Sequence, residues 1–152
     1  MPDKSSISSI RFHFLKKSGY LRQRKKLAGF LRRLFKKEQT PLGSLTYIFC
    51  TDDYLLGINQ QFLQHNYYTD IISFNLAGAG QPTEGEIYIS LERVADNARI
   101  LGLSYQDELH RVIFHGALHL CGYKDKSAKE RTTMRKMEDQ YLKRYQIFKI
   151  QA

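Results

Sequence analysis

The sequence predicts an α+β (α/β) fold. Residues 1–152 form one domain, a small mixed sheet of about four strands packed with about five helices. Three observations point there. Short segments rich in β-branched and aromatic residues are spread through the first 90 residues and alternate with helical patterns. From about residue 91 onward the periodicity is helical. No repeat, linker or low-complexity tract divides the 152 residues, a length that buries most of its apolar surface in one core.

The elements follow in order. ISSIRFHF (7–14) alternates apolar and polar residues, with Ile10, Phe12 and Phe14 on one face, as a half-buried strand does. From Leu21 to Lys37, Leu27, Phe30, Leu31, Leu34 and Phe35 recur at helical spacing, and Pro41 and Gly43 end that stretch. LTYIFCT (45–51) reads as a strand, after which Asp52 or Asp53 caps a helix carrying Leu55, Leu56, Ile58 and Phe62. IISFNL (71–76) and EIYIS (86–90) are two further strands, joined by the polar, glycine-containing loop AGAGQPTEG. Ser90 caps a short helix through Leu101. Ser104 caps the next, with Asp107 and Glu108 favourably placed in its first turn. That helix runs to about Cys121, where Gly122 stops it, and Ser127 caps the last helix, which carries Met134, Met137, Tyr141 and Leu142.

Composition narrows the class. An apolar fraction of 42% with 12% aromatic residues suits an ordinary globular core rather than a disordered chain. No apolar run approaches the ~20 residues a membrane helix requires, and MPDKSSISSI lacks the layout of a signal peptide. Cys50 and Cys121 are too few to staple a chain this long and read as reduced thiols. A soluble, cytoplasmic protein without a membrane partner is expected.

The net charge of +9 is unevenly distributed. Residues 1–37 hold twelve Lys or Arg and one acid, residues 38–123 three basic and ten acidic residues, and residues 124–152 nine basic and four acidic. Basic ends around an acidic middle predict a polyanion-binding surface beside a separate carboxylate-rich site. Arg22, Arg24, Lys25, Lys26, Arg32, Arg33, Lys36 and Lys37 flank the apolar stripe of the first helix with no acid among them. Such a surface neutralises the phosphates of a polyanion in a salt-sensitive way. Tyr20, Tyr67 and Tyr68 are candidates to stack on bases, although tyrosines in such places often pack instead.

The chemistry is concentrated in His115-Gly-Ala-Leu-His119-Leu-Cys-Gly122-Tyr-Lys-Asp125. Residues four apart on a helix project about 40° apart, so His115 and His119 present imidazoles to one ion. Gly122 can adopt a left-handed conformation that turns the chain back and brings Asp125 to the same ion. Three protein ligands with an open position is the arrangement of catalytic rather than structural zinc. Cys121 sits about 200° around the helix from His119 and is a poor fourth ligand.

This segment, HGALHLCGYKD, resembles the signature of the YbeY family of endoribonucleases, approximately HGxLHLxGYDH. The resemblance extends to TDIISF (69–74), GEI (85–87), Asn59, Glu108, Arg111, Met134 and Glu138, and so to roughly residues 50–140. It implies a metal-dependent single-strand endoribonuclease that uses Zn²⁺ on His115, His119 and the residue at 125. It further implies rRNA of the ribosomal small subunit as partner, with a role in 16S rRNA 3′-end processing and ribosome biogenesis. There are two departures. The family's third ligand is usually His, and Asp125 stands in its place as an oxygen donor. It lowers the site charge by one and makes Mn²⁺ a more credible occupant than it would otherwise be. The family's Arg ahead of the TDIISF strand falls at Leu63, with His65 nearby.

The mechanism expected is metal-assisted phosphodiester hydrolysis. Besides His115, the candidate catalytic residues are Arg111 and Glu86. Arg111, one turn before His115, either holds a scissile phosphate or pairs with Glu108. Glu86 shares the general-base candidacy with Asp70 and Glu108. Two rival readings remain. One is a metal-binding ribosome-assembly or RNA-binding factor without catalysis. The other is a zinc metallopeptidase, disfavoured because the helix carries Gly116 where HExxH proteases carry their glutamate base.

Overall fold

The computed structural model describes residues 7–15 and 21–151. Its elements are β1 (Ser9–Phe14), α1 (Arg24–Lys37), β2 (Leu42–Cys50), α2 (Asp52–Leu63), β3 (Ile71–Asn75), β4 (Thr83–Ser90), α3 (Leu91–Leu101), α4 (Tyr105–Leu120) and α5 (Ala128–Phe148). The four strands form one mixed sheet in the order β1-β2-β4-β3. β1, β2 and β4 run parallel, and β3 closes the edge antiparallel to β4. Of the residues singled out from sequence, Tyr20 lies outside the described residues.

Alternation decides which face each strand residue takes. The register places Ile10, Phe12 and Phe14 beside Leu45, Tyr47 and Phe49, which stand in turn beside Gly85, Ile87 and Ile89. This row is the core face, and α4 lies on it. The Tyr47 hydroxyl donates to the Ile113 carbonyl of α4 at 2.8 Å, satisfying a phenol buried at the centre of the molecule. Leu109, Val112, Ile113, Phe114, Ala117 and Leu118 make α4 a buried helix. α5 packs on it through Met134, Tyr141 and Tyr145, and α1 through Phe30, whose ring lies 5.3 Å from that of Phe114. The opposite sheet face carries Cys50, Ile72, Phe74 and Tyr88 and is covered by Leu55 and Ile58 of α2.

Several boundaries differ from the sequence expectation. α1 starts at Arg24, not Leu21. Leu21 is buried in the core ahead of the helix, and Gln23 takes a left-handed conformation (φ 54°) at the cap. β2 and β4 each begin three residues early, because Leu42 and Ser44 pair with Thr83 and Glu84. The cap of α2 is Thr51, whose hydroxyl accepts from Tyr54 N at 3.1 Å. Asp52 instead pairs with Arg93 at 2.7 Å. Ser90, Ser104 and Ser127 cap α3, α4 and α5, the last with a full capping box to Glu130.

Candidate metal centre

The C-terminal turn of α4 builds the site. Cys121 closes the helix, and Gly122 (φ 103°) takes the left-handed conformation that reverses the chain. The Tyr123 amide returns to the Leu118 carbonyl at 3.1 Å. The Tyr123 hydroxyl is pinned by the Glu38 carboxylate just past α1, which also accepts from Tyr141 at 2.9 Å. A loop tethered at backbone and side chain thus carries Asp125 back over the helix end.

One donor atom from each of His115, His119 and Asp125 falls within 4.8 Å of the other two. His115 Nε2 and His119 Nε2 lie 3.3 and 3.2 Å from the same oxygen, Asp125 Oδ2. The far side of each ring explains this aim. His119 Nδ1 lies 2.9 Å from the Tyr123 carbonyl, a group that only accepts, so Nδ1 carries the proton. His115 Nδ1 donates in the same way to Glu138 Oε2 at 2.6 Å. In the neutral rings both Nε2 lone pairs then face Asp125. Two nitrogen donors of fixed tautomer and one carboxylate, converging and partly open to solvent, fit a divalent cation.

Glu138 is the functional residue that sequence reasoning did not assign. Burial opposes its ionisation, but hydrogen bonds from His115 and Arg111 outweigh that and hold its carboxyl below the usual range. A sequence signal existed. Met134, Glu138, Tyr141 and Tyr145 form one buried stripe of α5, and an acid in such a stripe needs a buried partner.

The other candidates are placed as follows. Arg111 lies between Glu138, at 2.8 Å, and Glu108, whose side chain is fully buried. Burial works against its charge, yet these two carboxylates keep the guanidinium firmly protonated. Of its two sequence readings, the geometry fits pairing rather than phosphate binding. Glu86 is not brought to the histidines. It alternates with the core-facing Gly85 and Ile87 and so lies on the opposite sheet face, where it accepts from the Tyr88 hydroxyl. Glu108 holds Arg111 at 2.9 and 3.0 Å through Nε. Leu63 is exposed near the end of α2, and His65 is bonded to the Tyr67 hydroxyl at 2.9 Å. Cys121 stands outside the three-donor group.

Gly116 bears on the peptidase reading. A Cβ there would meet Ile71 Cδ1 at 2.8 Å and Ile87 at 3.0 Å. The position that holds the general base in HExxH enzymes therefore faces the sheet, where no glutamate fits.

The profile of the family described as Endoribonuclease YbeY matches residues 14–146. The chain is 49% identical over 129 residues to an Endoribonuclease YbeY of Cytophaga hutchinsonii, covering 84% of this chain and 90% of that protein. It is 42% identical over 127 residues to one of Flavobacterium psychrophilum, with coverage of 84% and 90%. The solution structure of TM1509 from Thermotoga maritima is similar at a TM-score of 0.57 and 29% identity, over 91% of this chain and 89% of that one.

Proposed function

Because the chain belongs to the Endoribonuclease YbeY family, we propose that it hydrolyses phosphodiester bonds within RNA at the centre formed by His115, His119 and Asp125. The observation that carries this reading is the pair of imidazoles whose Nδ1 protons are taken by Glu138 and the Tyr123 carbonyl, leaving both Nε2 atoms converged on Asp125. Those three side chains would hold a divalent ion, and Zn²⁺ suits two imidazoles and one carboxylate, with Mn²⁺ favoured more by the oxygen donor than by a third His. When bound, such an ion supplies Lewis acidity to a phosphodiester.

The chain's own residues do the rest. Glu138 fixes the ring of His115, and Arg111 neutralises part of the buried charge of Glu138 and Glu108. Glu38, through Tyr123, holds the loop that delivers Asp125. The finer reading is that the substrate is rRNA of the small subunit, cut during maturation of the 16S 3′ end. It is supported by the family resemblance and by the cationic surface of α1.

Cleavage of single-stranded RNA by the purified chain should require added metal, stop with chelator, and be lost in His115→Ala and His119→Ala. RNA cleavage that persists in both variants would place the chemistry elsewhere. Metal binding without RNA cleavage would favour the non-catalytic assembly factor.

A further inference from the structure

At β1 the sheet ends on a free edge. β1 pairs with β2, and among the described residues no strand lies beyond it. One bond fixes which way its peptide groups point. The Leu15 amide donates to the Phe49 carbonyl of β2 at 3.0 Å. In a parallel ladder the amide and carbonyl of one residue turn to the same side, and successive residues alternate. Arg11 and His13 therefore bond to β2, and the amides and carbonyls of Ile10, Phe12 and Phe14 point outward. The start of the strand keeps this phase, since the outward carbonyl of Ser8 accepts from Arg32 Nε at 3.0 Å.

Such an edge is a template for another strand. A cavity of about 530 Å³ lies beside it, between β1 and α1. Ile10, Phe12 and Ala28 give the cavity an apolar wall, and Arg24, Lys25 and Arg32 surround it with no acid among the lining residues. The Arg24 guanidinium sits over the Phe14 ring, 4.9 Å from its centroid. On the other face of the strand Arg11 and His13 are exposed. Among the described residues no carboxylate forms an ion pair with Arg11, Arg24, Lys25 or Arg32.

These features select the occupant. Outward amides and carbonyls in alternation match a peptide backbone. A nucleic acid offers acceptors to the amides but no row of donors to the carbonyls. Cations on both faces call for carboxylates. A second copy of β1 would set cation against cation across the pairing. Basic residues can also simply guard an edge against pairing, but a guard needs no apolar cavity beside it. We propose that the outer edge of β1 binds an acidic, extended segment of a partner protein as a fifth strand. Alternate side chains of that segment enter the cavity, and those between them carry carboxylates to Arg11 and His13. Backbone pairing supplies the affinity, and the cavity and cations supply the choice of sequence.

A short peptide of alternating Glu and Val, blocked at both ends and added to the full chain, tests this by amide hydrogen exchange. The amides of Ile10, Phe12 and Phe14 should gain protection, while those of Arg11 and His13, already bonded to β2, should not change. The same peptide N-methylated at alternate residues keeps its charge and loses its donors, and it should bind about tenfold more weakly or worse. A peptide with Lys in place of Glu should not bind. Combining Arg11→Glu with Lys25→Glu, at two exposed positions, should reverse that preference. The inference is overturned if the Glu peptide leaves the three outward amides unprotected, which would make the cations a guard only. It is also overturned if the N-methylated peptide binds equally well, or if single-stranded RNA protects those amides at least as well as the peptide. The unaltered chain carries these readings, so a variant that fails to fold does not blunt the test.

Discussion

At Asp125 the site uses an oxygen donor on a tethered loop, and at Glu138 it uses a buried carboxylate to orient one ring. Asp125→His should retain metal, since a nitrogen donor at the same offset also ligates. Asp125→Ala should lose most of the affinity, and full metal content in that variant by elemental analysis would show that the third ligand lies elsewhere. Glu138→Gln should weaken metal binding about 10–100-fold in a chelator competition, the usual effect of removing a partner that orients a ligating imidazole. His110 predicts a pH dependence. Its ordinary value is 6.5, and burial first and Lys149 second lower it to about 4 in the folded chain. Between those values the unfolded chain holds the extra proton, so folding stability falls as pH drops from about 6.5 to 4, by on the order of 3 kcal/mol at most. Urea unfolding across that range should show the loss, and His110→Phe should flatten it.

Helix α4 ties the sheet to the metal centre, and its fit depends on one small residue. Gly116 lies against Ile71 and Ile87, so Gly116→Ala makes their side chains give way in a packed interface. Overpacking costs about 1–3 kcal/mol, against a gain in helix propensity of about 1 kcal/mol. A net fall of a few degrees in Tm is expected, at ~2–4 °C per kcal/mol for a chain this size. An unchanged or raised Tm would mean that the helix tolerates the extra methyl. The caps of α3, α4 and α5 were legible because a serine oxygen bonds an amide three residues on, within the segment itself. The start of α1 was not, because the burial of Leu21 depends on partners elsewhere in the chain.

Over the whole molecule, the cationic surface divides into residues that serve the fold and residues that face solvent. Arg32 donates to the Ser8 carbonyl at 3.0 Å, Lys26 to the Lys149 carbonyl at 2.6 Å, and Arg33 lies over Phe148. Lys36 and Lys37 are exposed at the last turn of α1. Changing Arg32, Arg33, Lys36 and Lys37 to Ser should flatten the slope of log RNA affinity against log salt by roughly two to three units if most touch phosphate. The Lys36→Ser, Lys37→Ser pair isolates the solvent-facing share and should remove about 1.4 units. Both sets should keep normal metal content and weaken unrelated RNA sequences alike, because phosphates carry no base information. An unchanged slope in the quadruple variant would make the basic run a solvated face.

By itself the sequence determined most of what is encoded within a turn or two of chain, the cap of α2 excepted, which it put on Asp52 or Asp53 and Thr51 provides. It placed two imidazoles on one helix face, the glycine that reverses the chain, the carboxylate three residues on, and the serine caps. Each follows from spacing and side-chain chemistry alone. Tertiary structure decided the partners distant in sequence. Glu138, 23 residues from His115, became its acceptor because α5 packs on α4. Glu86 was turned away because strand alternation puts it on the face opposite Ile87. The early starts of β2 and β4 depend on each other as partners, and the order β1-β2-β4-β3 depends on how those strands add to the sheet. Periodicity tells which residues are apolar and at what angle. It does not tell which of two similar carboxylates the register and packing bring within 3 Å of a ring nitrogen.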